Sequence, residues 1–135
     1  MNKLLLAFAC AIAMTGTAVA GNKEVAAIQR PATKAEIAGV LEGMRNFLHD
    51  PYSVREAEIS GVMAATDVFK KTSLMVCVRG NAKNAYGAYT GLQTYLVYMT
   101  PEGRTFGANQ DIFAMGLCQF AVWRPFTEVK ALQKL

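Results

Sequence analysis

The chain has 135 residues, of which 53% are hydrophobic, and a formal net charge of +4. This length suits one domain with a modest core. A small positive charge without a basic helix or stripe is a poor electrostatic match for nucleic acid, so we expect no nucleic-acid partner.

Residues 1–20 have the layout of a secretory signal peptide. Lys3 gives a positive start, an apolar run follows, and Ala18-Val19-Ala20 is a small-residue cleavage site. The apolar run is well short of the roughly twenty residues that a spanning helix needs, so we expect no stable membrane anchor. A lipoprotein signal is the alternative, because Leu6 to Cys10 faintly resembles a lipobox. The sequence therefore predicts a periplasmic or secreted protein that begins at Gly21 with 115 residues and a net charge of +3.

Cleavage after residue 20 would leave Cys77 and Cys118 as the cysteines of the exported chain. An even number of cysteines in an oxidising compartment favours a structural disulfide. It would close a loop of roughly forty residues, which on the chain-entropy model contributes about 3 to 4 kcal/mol. A redox pair is disfavoured because the Cys-x-x-Cys spacing is missing, and two buried free thiols remain the other alternative.

A polar leader at residues 21–32 precedes the first predicted element, an amphipathic helix. Thr33 and Glu36 fit a capping box that satisfies free amides of the first turn. Apolar residues then recur at spacings of three and four as far as Leu48, which gives the helix one apolar face. Asp50-Pro51 ends the helix, because the residue before proline is driven out of the helical region.

The rest of the chain predicts strands and turns. Thr100-Pro101-Glu102-Gly103 has the composition of a turn, and residues 126–135 are expected to form a last helical turn. The predicted strands are Val54–Ile59, Leu74–Arg79, Leu92–Met99, a short one at Phe106, and Ile112–Val122. Together they indicate a single α+β domain over residues 33–135. In it, one N-terminal helix packs on an antiparallel sheet of about four strands, and both cysteines lie on strands.

Two segments carry a resemblance to a group of small exported proteobacterial proteins. The first is an Asp-Pro-x-Ser turn after the helix, here Asp50-Pro51-Tyr52-Ser53. The second is a strand with a cysteine followed by Asn-Ala-Lys-Asn-x-x-Gly-Gly-Tyr-x-Gly, here residues 76–91. The chain departs from this pattern at Tyr52, where a small polar residue is common, and at Ala88, where a glycine is usual. The resemblance spans roughly residues 40–98, and it implies export and an α+β fold without implying an activity.

Candidate catalytic groups are sparse. His49 is the only histidine, and its position at the polar end of the helix is typical of a surface residue. Glu56 and Glu58 are two apart, which would place both carboxylates on one face of a strand, as an acid–base pair requires. Exposed structural carboxylates show the same spacing, and no hydrolase, metalloprotease or phosphate-loop motif occurs. We therefore expect no enzyme, metal site or cofactor, with a small envelope hydrolase or transferase using these three residues as the alternative.

The segment from Arg79 to Tyr89 has the composition of a recognition site. It combines charged and amide donors with flat amphipathic rings, and its candidate binding residues are Arg79, Asn81, Lys83, Asn84, Tyr86 and Tyr89. Such a set suits an anionic or sugar-like ligand of the cell envelope, or a protein partner. In the structural alternative, Asn81 and Asn84 cap a turn and the tyrosines fill a sheet edge. The sequence favours a non-catalytic binding or interaction module of the cell envelope.

Overall fold

The elements of the fold are taken from a computed structural model, which describes residues 21–134. The predicted signal peptide and Cys10 lie outside these residues. Within them the α helices are Asn22–Ala26 (α1), Lys34–Phe47 (α2) and Ile112–Cys118 (α3). The strands are Asp50–Ser60 (β1), Met63–Thr66 (β2), Thr72–Lys83 (β3), Gln93–Met99 (β4), Thr105–Asn109 (β5) and Trp123–Pro125 (β6), and a 3₁₀ helix, Thr127–Lys134, follows them.

The strands of the described region form one antiparallel sheet around the long strand β3. The sheet order is β5-β4-β3-β1-β6, and β2 also pairs with β3. β1 pairs with the second half of β3 and β2 with its first half, so the two lie consecutively along one side of β3. The antiparallel α+β class predicted from the sequence is confirmed. The expected number of about four strands is too low for residues 21–134, because β2 and β6 have four and three residues and too little alternation to be recognised.

Helices cover both faces of the sheet, whereas the sequence predicted a helix on one face. On the first face, Val76 and Val78 of β3 join a buried core with α2 and the 3₁₀ helix. On the second face, Met75 and Cys77 join a core with α1 and α3. The two cores arise because neighbouring side chains of a strand point to opposite faces. α1 lies in the predicted polar leader, and its Ala26 is buried in the second core.

α2 forms as the sequence predicts. The Thr33 hydroxyl accepts a hydrogen bond from the Glu36 amide at 3.2 Å, and the Glu36 carboxylate accepts one from the Thr33 amide at 2.8 Å. Val40 and Met44 lie on its buried face. The helix ends at Phe47, shortly before Asp50-Pro51 begins β1. The capping box and the apolar period are local signals, and they were sufficient here.

α3 occupies residues for which the sequence predicted a strand. The Asp111 carboxylate accepts a hydrogen bond from the Ala114 amide at 2.8 Å and so caps the first turn. Leu117 and Cys118 are buried on one side of this helix. The Cys77–Cys118 disulfide is present, but it joins a strand to a helix, so the expectation that both cysteines lie on strands is wrong. A short apolar run does not distinguish the two structures by its period.

Two smaller expectations are confirmed, a turn at residues 100–103 and a helical turn in the tail. The Gly103 amide donates to the Thr100 carbonyl at 2.9 Å, and Gly103 has a φ of 80°, which glycine adopts without strain. The 3₁₀ helix lies in the tail and contributes Val129 and Leu132 to the first core. Among residues 21–134, no helix has both the length and the apolar character needed to cross a bilayer.

Candidate binding surface

The second face of the sheet changes character along β3. Met75 and Cys77 are buried under α1 and α3, whereas the next residues on this face are Arg79, Asn81 and Lys83. Arg79 keeps 33% of its side chain exposed. Cationic and aromatic side chains from three strands and the β3–β4 loop gather here, and we call this region the basic–aromatic surface. Its members are Arg55, Arg79, Lys83, Tyr89 and Trp123.

Two cations lie at the Tyr89 ring. The Arg55 guanidinium carbon is 3.7 Å from the ring centroid, and the Lys83 ammonium nitrogen is 5.6 Å from it. The ring is held in place because Tyr89 forms a β-bridge with Lys83 and its hydroxyl donates to the Ser53 carbonyl at 3.1 Å. Attraction between a cation and the face of an aromatic ring orders both partners. The three side chains therefore form one ordered cluster.

A third cation, Arg79, lies against Trp123. The Arg79 guanidinium carbon is 4.4 Å from the Trp123 ring centroid, and the guanidinium also donates to the Glu58 carboxylate. Arg79 and Glu58 are cross-strand partners of β3 and β1, and each side chain is about one third exposed. Glu58 fixes the direction of the arginine and offsets its charge. The other N–H groups of the Arg79 guanidinium are free to donate to a partner at the exposed side.

Asn81 and Asn84 order the β3–β4 loop. Asn81 is a buried residue, and its side-chain oxygen accepts a hydrogen bond from the Gly91 amide at 3.1 Å. The Asn84 side-chain oxygen accepts from the amides of Tyr86 and Ala88 at 2.9 and 3.1 Å. These are the turn-capping roles of the structural alternative. Tyr86, at the tip of the loop, is 93% exposed.

The predicted binding residues therefore occupy three different settings. Arg79, Lys83 and Tyr89 lie on the basic–aromatic surface, Asn81 and Asn84 hold the loop, and Tyr86 projects from its tip. The sequence prediction omitted Arg55 and Trp123. Their places depend on the pairing of β1 with β3 and of β6 with β1, and residue type is the only signal that the sequence carries for them.

A bulge in β1 separates the carboxylates of the alternative catalytic site. Arg55 pairs with Asn81 and Glu58 with Arg79, so a step of three residues on β1 matches a step of two on β3. Glu56 has a φ of 54°, and the residue that shares a face with Glu58 is Arg55. The prediction that Glu56 and Glu58 share a strand face is therefore wrong. His49 is exposed between α2 and β1, and within residues 21–134 no three His, Cys, Asp or Glu side chains form a cluster suited to a metal.

The fold and this surface define a small disulfide-bonded α+β protein with a cationic and aromatic region on one face of its sheet. Comparison with known proteins found no matching family model, no matching curated protein and no matching solved structure. The resemblance to small exported proteobacterial proteins stays a prediction.

Proposed function

We propose that the protein is a non-catalytic binding or interaction module of the cell envelope, in the periplasm or secreted. Its partner is a protein or ligand of the envelope, bound at the basic–aromatic surface. The convergence of Arg55 and Lys83 on the Tyr89 ring carries the proposal. The Cys77–Cys118 disulfide supports an oxidising compartment.

The composition and order of the surface favour recognition. Tyrosine and arginine combine a large contact area with hydrogen-bonding capacity, and both are enriched among residues that dominate interfaces. Lys83 forms no ion pair with a carboxylate of residues 21–134, so its charge is available to an anionic group of a partner. Because the ring and its cations are ordered before binding, little conformational entropy is lost on association.

Capture of a partner from a cell-envelope extract tests the proposal. Arg55→Ala, Lys83→Ala and Tyr89→Ala should each reduce the amount of the captured partner by roughly tenfold. Each should leave Tm within a few degrees of the wild-type value, because surface side chains contribute little to folding. Arg79→Ala should also weaken capture, with a larger fall in Tm because Glu58 loses its partner.

Lys71→Ala is the matched control, since Lys71 is an exposed lysine of the β2–β3 turn. It should leave capture unchanged. Asn81→Ala and Asn84→Ala should instead lower Tm, because each removes a hydrogen bond that orders the loop. The proposal would be contradicted if the Arg55, Lys83 and Tyr89 variants captured as much partner as the wild type does. It would also be contradicted if Lys71→Ala reduced the captured amount as much as they do.

A further inference from the structure

A groove of about 300 Å³ lies between α2 and the edge strand β5. Gly43 and Phe47 line it from the helix, and Phe106, Gly107 and Ala108 line it from the strand. Both phenylalanines are partly exposed, Phe47 at 39% and Phe106 at 57%. Gly43 keeps the helix close to the sheet, because a Cβ there would lie 2.8 Å from a methyl carbon of Val97. The groove therefore has a helix for one wall and a strand for the other.

The two ends of the sheet differ in how well they resist pairing with another chain. β6 has three residues, ends in Pro125 and includes Arg124, which are features that discourage a further strand. β5 has the sequence Thr-Phe-Gly-Ala-Asn, with neither charge nor proline. Within residues 21–134, no strand pairs with the outer side of β5. The edge next to the groove is thus better suited to accept a strand than the β6 edge is.

We propose that the groove binds an extended peptide segment of a partner protein, which adds to the sheet along β5. Free N–H and C=O groups of an edge strand are satisfied by the backbone of an extended chain, and side-chain pockets beside the edge supply specificity. Phe47 packs on Tyr95 on the α2 side of the sheet, whereas the Phe106 ring packs on Tyr98 on the opposite side. Because neighbouring side chains of a strand point to opposite faces, one apolar side chain of the peptide lies against Phe47 and another against Phe106. Glu42 is the charged residue of the groove lining, so a lysine or arginine of the peptide lies next to it.

A second copy of the chain fits this edge less well than a basic peptide does. A basic peptide places a lysine or arginine next to Glu42, whereas the β5 strand of a second copy has no charged residue to offer it.

Selection of phage-displayed random twelve-residue peptides on the purified protein tests the inference. Selected peptides should carry an apolar residue and a lysine or arginine, and they should slow hydrogen exchange of the amides of residues 105–109. Phe106→Ala and Glu42→Lys should each weaken binding of the synthesised peptides by roughly tenfold in fluorescence anisotropy. Methylation of alternate backbone nitrogens of the peptide should abolish binding, because it removes the donors of the strand pairing.

Phe69→Ala is the matched control, because Phe69 is an exposed phenylalanine of the β2–β3 turn and does not line the groove. It should leave peptide binding unchanged. Tyr89→Ala should do the same, which separates this site from the basic–aromatic surface. The inference is overturned if no peptide is enriched, or if the peptide protects amides outside β5 from hydrogen exchange. It is also overturned if Phe106→Ala and Glu42→Lys have a Tm that shows them to be folded and still bind the peptide as the wild type does. If sedimentation shows that the protein self-associates, and the self-associated form protects the β5 amides from hydrogen exchange without any peptide, a second copy occupies the edge and the inference is overturned.

Discussion

Glu36 is a buried carboxylate at the start of α2, and it is 4% exposed. Arg30 donates to both of its oxygens, at 2.6 and 2.8 Å, and the Thr33 amide donates at 2.8 Å. The hydrogen bonds from Arg30 are the main cause that lowers the pKa of Glu36 from 4.5 to about 2, against the opposing effect of burial. A carboxyl whose pKa is lowered by folding stabilises the folded state fully above its unfolded pKa. This stabilisation is therefore lost as the pH falls from 4.5 towards 2.

Glu36→Gln should lower the free energy of unfolding by about 1.5 to 3 kcal/mol at neutral pH, because Arg30 loses a charged partner. Glutamine still fits a capping box, so the loss reports the charge. Urea unfolding at several pH values should show the difference from the wild type shrinking as the pH falls from 4.5 to 2. Glu128→Gln is the control, since the Glu128 side chain is 37% exposed against 5% for Glu36, and it should cost less than about 1 kcal/mol. A gap that stays constant over this pH range would contradict the role assigned to the pair.

Among the elements, α2 depends on a glycine for its distance from the β4–β5 hairpin. A Cβ at Gly39 would lie 2.2 Å from the carbonyl oxygen of Gly103, which is backbone and has little room to move. In an exposed helix, replacing glycine by alanine stabilises by about 1 kcal/mol. Here Gly39→Ala should instead destabilise by roughly 2 kcal/mol or more, because α2 has to move away from the hairpin.

Thermal unfolding compares Gly39→Ala with Gly107→Ala. A Cβ at Gly107 meets nothing within 4 Å, so that substitution should stay within about 0.5 kcal/mol of the wild type. The same change of one methyl group is thus expected to be costly on α2 and nearly neutral on β5. Equal stability of the two variants would mean that α2 does not need its close approach to Gly103.

The elements also separate what the sequence could predict from what it could not. α2 was predicted because its capping box and apolar period lie within the element itself. α3 was missed because its seven residues are too few to establish a period, although Asp111 is a suitable N-cap. β2 and β6 are short and take their strand conformation from pairing with β3 and β1. Tertiary contacts decide such segments, and no local pattern reports them.

The candidate site shows the same division. Residue types within one segment pointed to Lys83 and Tyr89, which are in contact, and to Arg79, which lies on the same face of β3 as Lys83. Arg55 contacts the Tyr89 ring because the β1 bulge places it on the same face as Glu58. The bulge adds one residue to β1, and an alternating sequence pattern does not reveal such an addition. Because of the same bulge, Glu56 and Glu58 do not share a strand face as the sequence predicted. Cross-strand register is thus the information that the sequence lacked, both for the surface that it partly predicted and for the carboxylate pair that it predicted wrongly.

At the scale of the whole molecule, helices cover both faces of the sheet, and the two covers differ in how much they depend on the rest of the chain for their stability. α2 has 14 residues and its own capping box, whereas α3 has seven residues. A helix as short as α3 is not stable alone in water, so its position depends on packing and on the bond to β3. The Cys77–Cys118 disulfide supplies that bond at the buried end of α3. The second face therefore relies on a covalent link more than the first face does.

Cys118→Ser and Cys77→Ser should each destabilise the protein, because both remove the same link across 41 residues of sequence. The chain-entropy model gives a loss of about 3 to 4 kcal/mol, which for a domain of this size lowers Tm by roughly 10 to 20 °C. Reduction of the wild type should produce a similar loss, and the double variant should be no less stable than the weaker single one. Hydrogen exchange should rise first in residues 112–118, since α3 loses its anchor while α2 keeps its packing. Titration of the unfolded, unreduced protein from residue 21 onward should find no free thiol. Two free thiols per chain would show that the cysteines are not joined and that the disulfide does not stabilise the protein.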